Sequence, residues 1–514
     1  MCEYSRIESE GFYLTRPLPL FLVRELEAGK KLFYWEKKRE KNYRILTQLK
    51  RLGLMEYYCP EAKREKSAKA DGLLSFFGGR CLLGSEVKRL LSKQGSKAHE
   101  ALPALRQSAL VEPGIKNGRC SRCGSSDLAV RKCHFLPQRS CFYCLSCLSM
   151  GECRTCSEVW FFPPVKRTAE KQDICFKPEF SLTKPQQAAS EELLVFWAGA
   201  EKACLLWAVC GAGKTEVCYQ LIFTVIKSGG RVLLAIPRRD VVQELALRLK
   251  AVFPDLAVSV LYGGSPEEYR ECSLTVATTH QVLRFYCNFD LVILDEADAY
   301  PYRENSMLRL AVLRAAGKSK LVYLTATPEK ELLKLPRIRI PARHHGYPLP
   351  EPEFCRVRFS EGSVPKQVLN FLNELLAEKE QAFIFLPSIK QVKSYGRLLQ
   401  ELLGRGRVDF SWSSDPEREA KKLRFTAGRS AFLVTTTIME RGVTVAGVNV
   451  AVLFADQELV FTTASLVQMA GRAGRKTASG RVVFFAGGVS GAMREAEREI
   501  KGFNLEAREK GYIR

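Results

Sequence analysis

Between the apolar run Cys204 to Val209 and a segment of helical composition stands Ala208-Val-Cys-Gly-Ala-Gly-Lys-Thr215, and this short loop constrains the fold more than any other stretch of the chain. Gly211 and Gly213 let backbone N–H groups approach phosphate oxygens with no Cβ in the way, Lys214 supplies a cation to the outer phosphates, and Thr215 offers its hydroxyl to Mg²⁺. Such a loop works only where a strand delivers it and a helix N-terminus follows it. Ala208 departs from the general pattern, which has its first glycine there.

A second signal lies downstream. The apolar run Leu291 to Leu294 ends in Asp295-Glu296-Ala297-Asp298. A carboxylate directly after an apolar strand, in the same domain as a phosphate loop, is placed to coordinate Mg²⁺, and a second acid beside it can orient or deprotonate an attacking water. Asp295 takes the metal role and Glu296 the base role. Either motif alone could be a glycine turn or a strand-end acid pair; together they define a nucleotide site.

The remaining apolar runs supply the sheet. Arg231 to Ile236, Leu274 to Ala277 and Leu321 to Leu324 join the two strands already named. Short apolar runs separated by helix-length segments predict a parallel sheet covered on both faces. A second series, Ala382 to Leu386, Ala431 to Val434, Val448 to Leu453 and Arg481 to Phe485, predicts a second α/β domain in tandem. The proline-rich and basic stretch Leu335 to Gly346 reads as the boundary between them, and Gly491 to Arg514 as one amphipathic helix and a tail. In the second domain, Arg472 and Arg475 of Gln468-Met-Ala-Gly-Arg-Ala-Gly-Arg475 are three apart and predict one helix face. Guanidinium groups facing the phosphates from a second domain stabilise transition-state charge, worth on the order of 10³–10⁵ in rate.

Length and charge agree with several domains and a polyanionic partner. At roughly 150 residues per domain, 514 residues suggest three or four. The net charge of +23 and pI near 9.3 favour nucleic acid over a neutral small molecule. Hydrophobic residues make up 46% and charged residues 26%, a globular composition. The longest uncharged apolar stretch, Ala203 to Gly213, is about half of the roughly 20 residues a spanning helix needs. The proline-interrupted Pro17 to Val23 lacks a cleavage site, so no secretory signal is read and a cytoplasmic location is expected.

Eighteen cysteines without a secretory signal are better read as thiols or metal ligands than as disulfides. Eight of them, Cys120, Cys123, Cys133, Cys141, Cys144, Cys147, Cys153 and Cys156, fall within 37 residues. Tetrahedral Zn²⁺ takes four thiolates, normally as two Cys-x-x-Cys knuckles. The firmest site pairs Cys120 and Cys123 with Cys144 and Cys147. A second ion would use Cys133, Cys141, Cys153 and Cys156 in an interleaved arrangement, while a nested pairing of Cys120 and Cys123 with Cys153 and Cys156 remains open, as does substitution by His134. All-thiolate ligation predicts structural zinc, one ion or two. Arg119, Arg122, Arg131, Lys132 and Arg139 around it point to a nucleic-acid or docking surface. In the basic N-terminal region, Lys30 to Arg39 interleaves aromatic and basic residues, which suits either a single-stranded nucleic-acid groove or a solvated amphipathic helix. Tyr43 to Leu52 and Glu86 to Leu91 read as helical.

From about Phe180 to Val483 the chain resembles the superfamily 2 helicases and translocases. Beyond the motifs above, Leu182 to Gln186 resembles an adenine-reading glutamine motif, which gives Gln186 that role. Ile236-Pro237-Arg238, Tyr262-Gly263-Gly264, Thr278-Thr279-His280, Thr325-Ala326-Thr327, Phe385 to Ser388 and Thr435 to Thr444 complete the set. The resemblance implies two tandem RecA-like parallel-sheet domains, ATP and Mg²⁺ as ligands, and strand contacts at Pro237, Arg238, Thr278, Thr279 and Thr436. A cysteine module ahead of the first motor domain is similar to the competence ATPase ComFA family. The replication-restart helicase PriA instead carries its cysteines inside the second motor domain. This resemblance implies a translocase driving single-stranded DNA during natural transformation, other competence proteins at the membrane DNA channel as partners, and a place in the cytoplasm or at the inner face of the membrane. An unwinding helicase of the PriA kind and a non-catalytic zinc scaffold are the alternatives. The expected domains are 1–115, a basic N-terminal region; 116–158, the zinc module; 159–340 and 341–514, the two motor domains.

Overall fold

The computed structural model describes residues 76–513 except 94–101, 103–104, 107–108, 134–139, 166–171, 266–269, 437–444 and 475–479. Lys30 to Arg39, Tyr43 to Leu52, His134, Arg139 and Arg475 therefore lie outside the described residues. The chain forms two compact units. The first takes residues up to 168 together with 279–290 and 305–319, and the second takes 169–278, 291–304 and 320–514.

In the first unit, strands β1 (Cys81–Leu83), β2 (Leu110–Pro113), β3 (Ile115–Lys116), β4 (Arg119–Cys120), β5 (Leu128–Lys132), β6 (Ser140–Cys144) and β7 (Glu158–Phe161) make one antiparallel sheet, ordered β1-β7-β2, and two ribbons. The expected limits at 116 and 158 fall inside this architecture: β2 precedes the cysteine module, β7 follows it, and they pair from Leu110↔Phe161 to Pro113↔Glu158. The helix Gly84–Lys93 lays Val87, Leu90 and Leu91 on the sheet, the i, i+3, i+4 spacing of one helix face. With Phe77, Leu82, Trp160 and Phe162 they form a small core. Buried Glu86 on the same helix pairs with Arg122 at 2.9 Å and Arg284 at 2.7 Å. Burial alone would raise the Glu86 carboxyl, but Arg122 and then Arg284 outweigh it and hold it below its ordinary value. The helix Ser306–Ala316, capped by Asn305, belongs to this unit too, and its Arg314 donates to the carbonyls of Arg122 and Leu283.

The second unit holds two parallel sheets. Strands β8 (Ala203–Ala208), β9 (Val232–Ile236), β10 (Val258–Leu261), β11 (Leu274–Thr278), β12 (Leu291–Leu294), β13 (Lys320–Thr325) and β14 (Arg337–Ile340) run in the order β10-β11-β9-β12-β13-β8-β14. Strands β15 (Pro352–Arg356), β16 (Ala382–Phe385), β17 (Val408–Ser411), β18 (Phe432–Thr435), β19 (Asn449–Leu453) and β20 (Val482–Ala486) run in the order β15-β20-β19-β16-β18-β17. Two tandem RecA-like domains are thus present, as expected. The stretch expected as a linker contains β14: Ile338 and Ile340 turn inward while Arg337 faces solvent, so this edge strand pairs on β8 with only half the apolar content of its neighbours. The C-terminal helix Gly491–Glu509 buries Met493, Ala496, Ile500, Phe503 and Ala507, again three or four apart. Among the described residues, no helix is long and apolar enough to cross a membrane.

Candidate ATPase and metal sites

The phosphate loop leaves β8 with Gly211 at φ 83° and Gly213 at φ 75°, a left-handed backbone that a side chain would strain. A Cβ on Gly213 would also stand 2.4 Å from Gln186 Nε2. The helix Lys214–Val217 follows, with Lys214 partly exposed at its start. Thr215 Oγ1 donates to Asp295 Oδ2 at 2.8 Å, so the loop hydroxyl and the carboxylate after β12 meet although β13 lies between β12 and β8 in the sheet. This pair is a hard oxygen donor set of the kind Mg²⁺ takes. The Glu296 backbone N–H donates to Asp295 Oδ1 at 2.7 Å, and Glu296 itself sits at φ 51°.

Gln186 is tied to this loop. Its Nε2 donates to Ala212 O at 2.8 Å, while its Oε1 accepts from the backbone N–H of Thr183 at 2.9 Å. Thr183 and Gln186 form the capping box of the helix Lys184–Ala198. The amide expected to read adenine is thereby spent on holding the loop.

The last residue of the acidic motif, Asp298, gathers three donors. Thr325 Oγ1 reaches Oδ1 at 2.7 Å, Thr327 Oγ1 reaches Oδ2 at 2.6 Å, and Gln468 Nε2 reaches Oδ2 at 3.1 Å. Gln468 Oε1 accepts from Cys210 Sγ at 3.1 Å, so one side chain from the helix Thr463–Ala470 beside the second sheet touches both the acidic motif and the phosphate loop. Close approach at this seam requires Gly471, where a Cβ would come within 2.4 Å of Cys210 Cβ. Arg343, 2% exposed, binds the seam from a third direction. Its guanidinium donates to Cys210 O at 3.2 Å, Ala473 O at 2.8 Å, Gly474 O at 3.1 Å and Gly471 O at 3.1 Å. Sequence reasoning passed over Arg343, whose proline-rich, basic surroundings look like any linker, and over Cys210. Arg472 is buried, but not on a helix face: the helix Thr463–Ala470 stops at Gly471 and residues 471–474 form a turn.

The expected strand contacts cluster at the C-terminal ends of neighbouring strands, where parallel sheets bind ligands. Thr278 ends β11 beside Ile236 of β9, which Pro237 and Arg238 follow. Their side chains differ in reach. Pro237, Thr278 and Thr279 are buried, Thr279 completely. Arg238 is half-buried and holds Asp240 through two bonds of 3.1 and 2.5 Å. Thr436, after β18, is half-buried. Exposed Arg239, not singled out from the sequence, stacks over the Tyr262 ring at 4.8 Å and presents a cation with an aromatic face.

In the first unit, Cys120, Cys123, Cys144 and Cys147 converge with all sulfur atoms within 4.8 Å of one another, and all four are buried. Cys120 and Cys147 are 3.8 Å apart and Cys123 and Cys144 3.4 Å apart. A tetrahedral Zn²⁺ with Zn–S near 2.3 Å has sulfur–sulfur edges of about 3.8 Å, so the thiols fit the ion. Cys133, Cys141 and Cys156 gather separately. Cys153 joins neither set: its thiol faces Gly114 O at 3.3 Å. Of the expected second set, Cys153 stands apart, while Cys133, Cys141 and Cys156 come together. The backbone explains the split, because Cys144 N–H donates to Cys153 O at 2.9 Å while Tyr143 bridges Arg154, which sets Cys153 beside the first cluster and Cys156 beside Cys141.

Residues 64–161 match the family Competence protein ComFA N-terminal domain, 179–330 the Type III restriction enzyme res subunit, and 367–477 the Helicase conserved C-terminal domain. Two RecA-like sheets joined at a phosphate loop and preceded by a cysteine module define a helicase-type ATPase architecture. The competence protein ComFA of Bacillus subtilis is 38% identical over 429 residues, covering 77% of this chain and 90% of the relative. That of Streptococcus pneumoniae is 36% identical, covering 81% and 96%. The chain belongs to the ComFA family. The replication restart protein PriA of Bacillus subtilis is 27% identical over only 42% of this chain and 30% of its own length.

Proposed function

We propose that this chain is an ATP-dependent translocase on single-stranded DNA that serves DNA uptake during natural transformation. The relatives similar over most of its length are named competence proteins, and the +23 charge suits a polyanionic track. The observation that carries the reading is the Asp298 carboxylate, on which the acidic motif, the Thr325 and Thr327 hydroxyls and Gln468 of the second sheet converge. A change at the phosphates is thereby felt by both sheets.

In this reading Gly211, Gly213 and Lys214 seat the phosphates and Thr215 with Asp295 holds Mg²⁺, which neutralises phosphate charge when bound. Glu296 orients the attacking water and takes its proton on a carboxylate oxygen. Arg472 and Arg475 stabilise the charge that develops on the transferred group. Gln186 sets the loop and reads adenine once its bond to Ala212 O is released. Pro237 and Thr278 shape the strand ends, and Arg238, Arg239 and Thr436 meet the DNA backbone, which makes binding salt-dependent and nearly blind to sequence. Zinc at Cys120, Cys123, Cys144 and Cys147 is structural. The protein works in the cytoplasm, brought to the inner face of the membrane by other competence proteins.

The test compares ATP hydrolysis with single-stranded DNA, duplex DNA and RNA at matched salt. Single strands are expected to stimulate most, and Lys214→Ala to abolish the rate. Absence of stimulation, or a rate that survives Lys214→Ala, would sink the motor reading. Robust unwinding of a forked duplex by the isolated protein would favour a replication-restart type of helicase instead.

A further inference from the structure

We propose that a second zinc ion is held by Cys133, Cys141 and Cys156 at the far end of the β5–β6 hairpin, more exchangeable than the first because Cys156 is only half-buried whereas all four thiols of the first cluster are buried. The proposal goes beyond the four-thiolate site and does not depend on it. Register brings these thiols together. β5 and β6 pair from Leu128↔Cys144 to Lys132↔Ser140, so Cys144 lies at one end of the ribbon while Cys133 and Cys141 lie at the other. Three residues of extended chain separate Cys141 from Cys144, roughly 10 Å at about 3.4 Å per residue, too far for one ion to use both. The segment after Gly151 runs back along β6, where Thr155 N–H donates to Phe142 O at 2.9 Å, and it delivers Cys156 opposite Cys141. Their sulfur atoms are 3.9 Å apart, again the edge of a zinc–thiolate tetrahedron, about 3.8 Å.

The ribbon also needs something at this end. An isolated two-stranded ribbon is marginal in water, and β5 buries little: Val130 is 57% exposed, and Arg131 and Lys132 face solvent. What fastens the returning segment is polar. Arg154 donates to Lys132 O at 3.1 Å and to Glu152 at 2.5 Å, and Glu152 also pairs with Arg131 at 3.3 Å. Among the described residues, no fourth cysteine, histidine or carboxylate completes the cluster. Soft thiolate donors select zinc over the harder Mg²⁺ or Ca²⁺.

The experiment measures zinc per chain in the full-length protein by elemental analysis and native mass spectrometry, then follows transfer of zinc to a chromophoric chelator. Two ions are expected, leaving in two phases whose rates differ at least tenfold. Cys141→Ser and Cys156→Ser should each remove the fast phase and one ion, whereas Cys123→Ser should remove the slow one. A wild-type stoichiometry of one, lost in Cys123→Ser and kept in Cys141→Ser, overturns the second site and leaves the first. One ion lost only in Cys141→Ser has the reverse meaning. If the serine variants do not fold, the wild-type count decides, and a Cys141–Cys156 disulfide in the native protein, read as two missing thiols by mass, also overturns it.

Discussion

Gln468 donates its side-chain amide to the Asp298 carboxylate at 3.1 Å, joining a residue of the second sheet's helix to the acidic motif of the first. The same side chain accepts from Cys210 Sγ, so it touches the acidic motif and the phosphate loop together. Gln468→Ala removes both contacts and leaves the two threonine bonds to Asp298. A buried hydrogen bond to a charged group contributes about 1.5–3 kcal/mol, so DNA-stimulated hydrolysis should fall on the order of tenfold or more. Nucleotide affinity, read with a fluorescent analogue, should move little. Equal loss of both would assign Gln468 to binding instead.

Arg343 spreads one buried guanidinium over four backbone carbonyls. Arg343→Ala strands those acceptors, and a cost of about 3 kcal/mol is expected, lowering the melting temperature by roughly 5 °C or more. Arg343→Lys should recover less than half of that, because an ammonium cannot match the planar fork. A thermal scan of the two variants beside the wild type settles it.

The Thr279 hydroxyl is fully buried and makes no hydrogen bond, whereas Arg239 is exposed on Tyr262. Thr279→Val should leave single-stranded DNA affinity unchanged and stability equal or slightly higher, since a methyl group replaces an unsatisfied hydroxyl. Arg239→Ala should weaken binding several-fold and reduce the salt slope by about 1. Fluorescence anisotropy across a salt series measures both. The opposite ranking would move the DNA track away from Tyr262.

Burial, and then the neighbouring Glu495, push the Glu499 carboxyl up to about 7. The folded state then holds its proton longer than the unfolded state does. The stability this contributes is present in acid, below the ordinary carboxyl range, and is lost as pH rises through about 7. Glu499→Gln stays neutral throughout. Its gain should be absent in acid, grow as pH rises and level off above neutrality at about 1–2 kcal/mol, a value reduced because the side chain is partly exposed. Denaturant melts at pH 5 and pH 8 supply the comparison; a pH-independent difference would refute the raised carboxyl.

Central strands were legible in the sequence because both of their faces are covered. β9, β11, β12, β16, β18 and β19 are buried along their length and mostly apolar, and each falls where an apolar run predicts a strand. The edge strands β10, β14 and β17 escaped notice because an edge need only bury one side: Val408-Asp-Phe-Ser411 carries an acid and a serine, and Arg337-Ile-Arg-Ile340 alternates cation with apolar residue. β15, also an edge, opens with a proline and escaped for the same reason. At the site, residues bound to a local motif could be named in advance, as Thr215 and Asp295 were. Those whose role depends on a partner far along the chain could not. Arg343 meets Cys210 and Gly471, over a hundred residues away in either direction, and nothing in its own neighbourhood says so. Cys153 fails in the opposite way: its Cys-x-x-Cys spacing advertises a ligand, while the bridge between Tyr143 and Arg154 sends it and Cys156 to different places.

The first unit contains residues 279–290 and 305–319, each flanked on both sides by chain that belongs to the second. The helix Ser306–Ala316 rests on the cysteine module through Arg314, which holds the carbonyl of Arg122. Deleting everything before residue 169 would leave that helix without its seat. Unlike a domain strung on a linker, this module closes on chain 192 residues further along, so the contact between Arg122 and Arg314 cannot form until both have been synthesised.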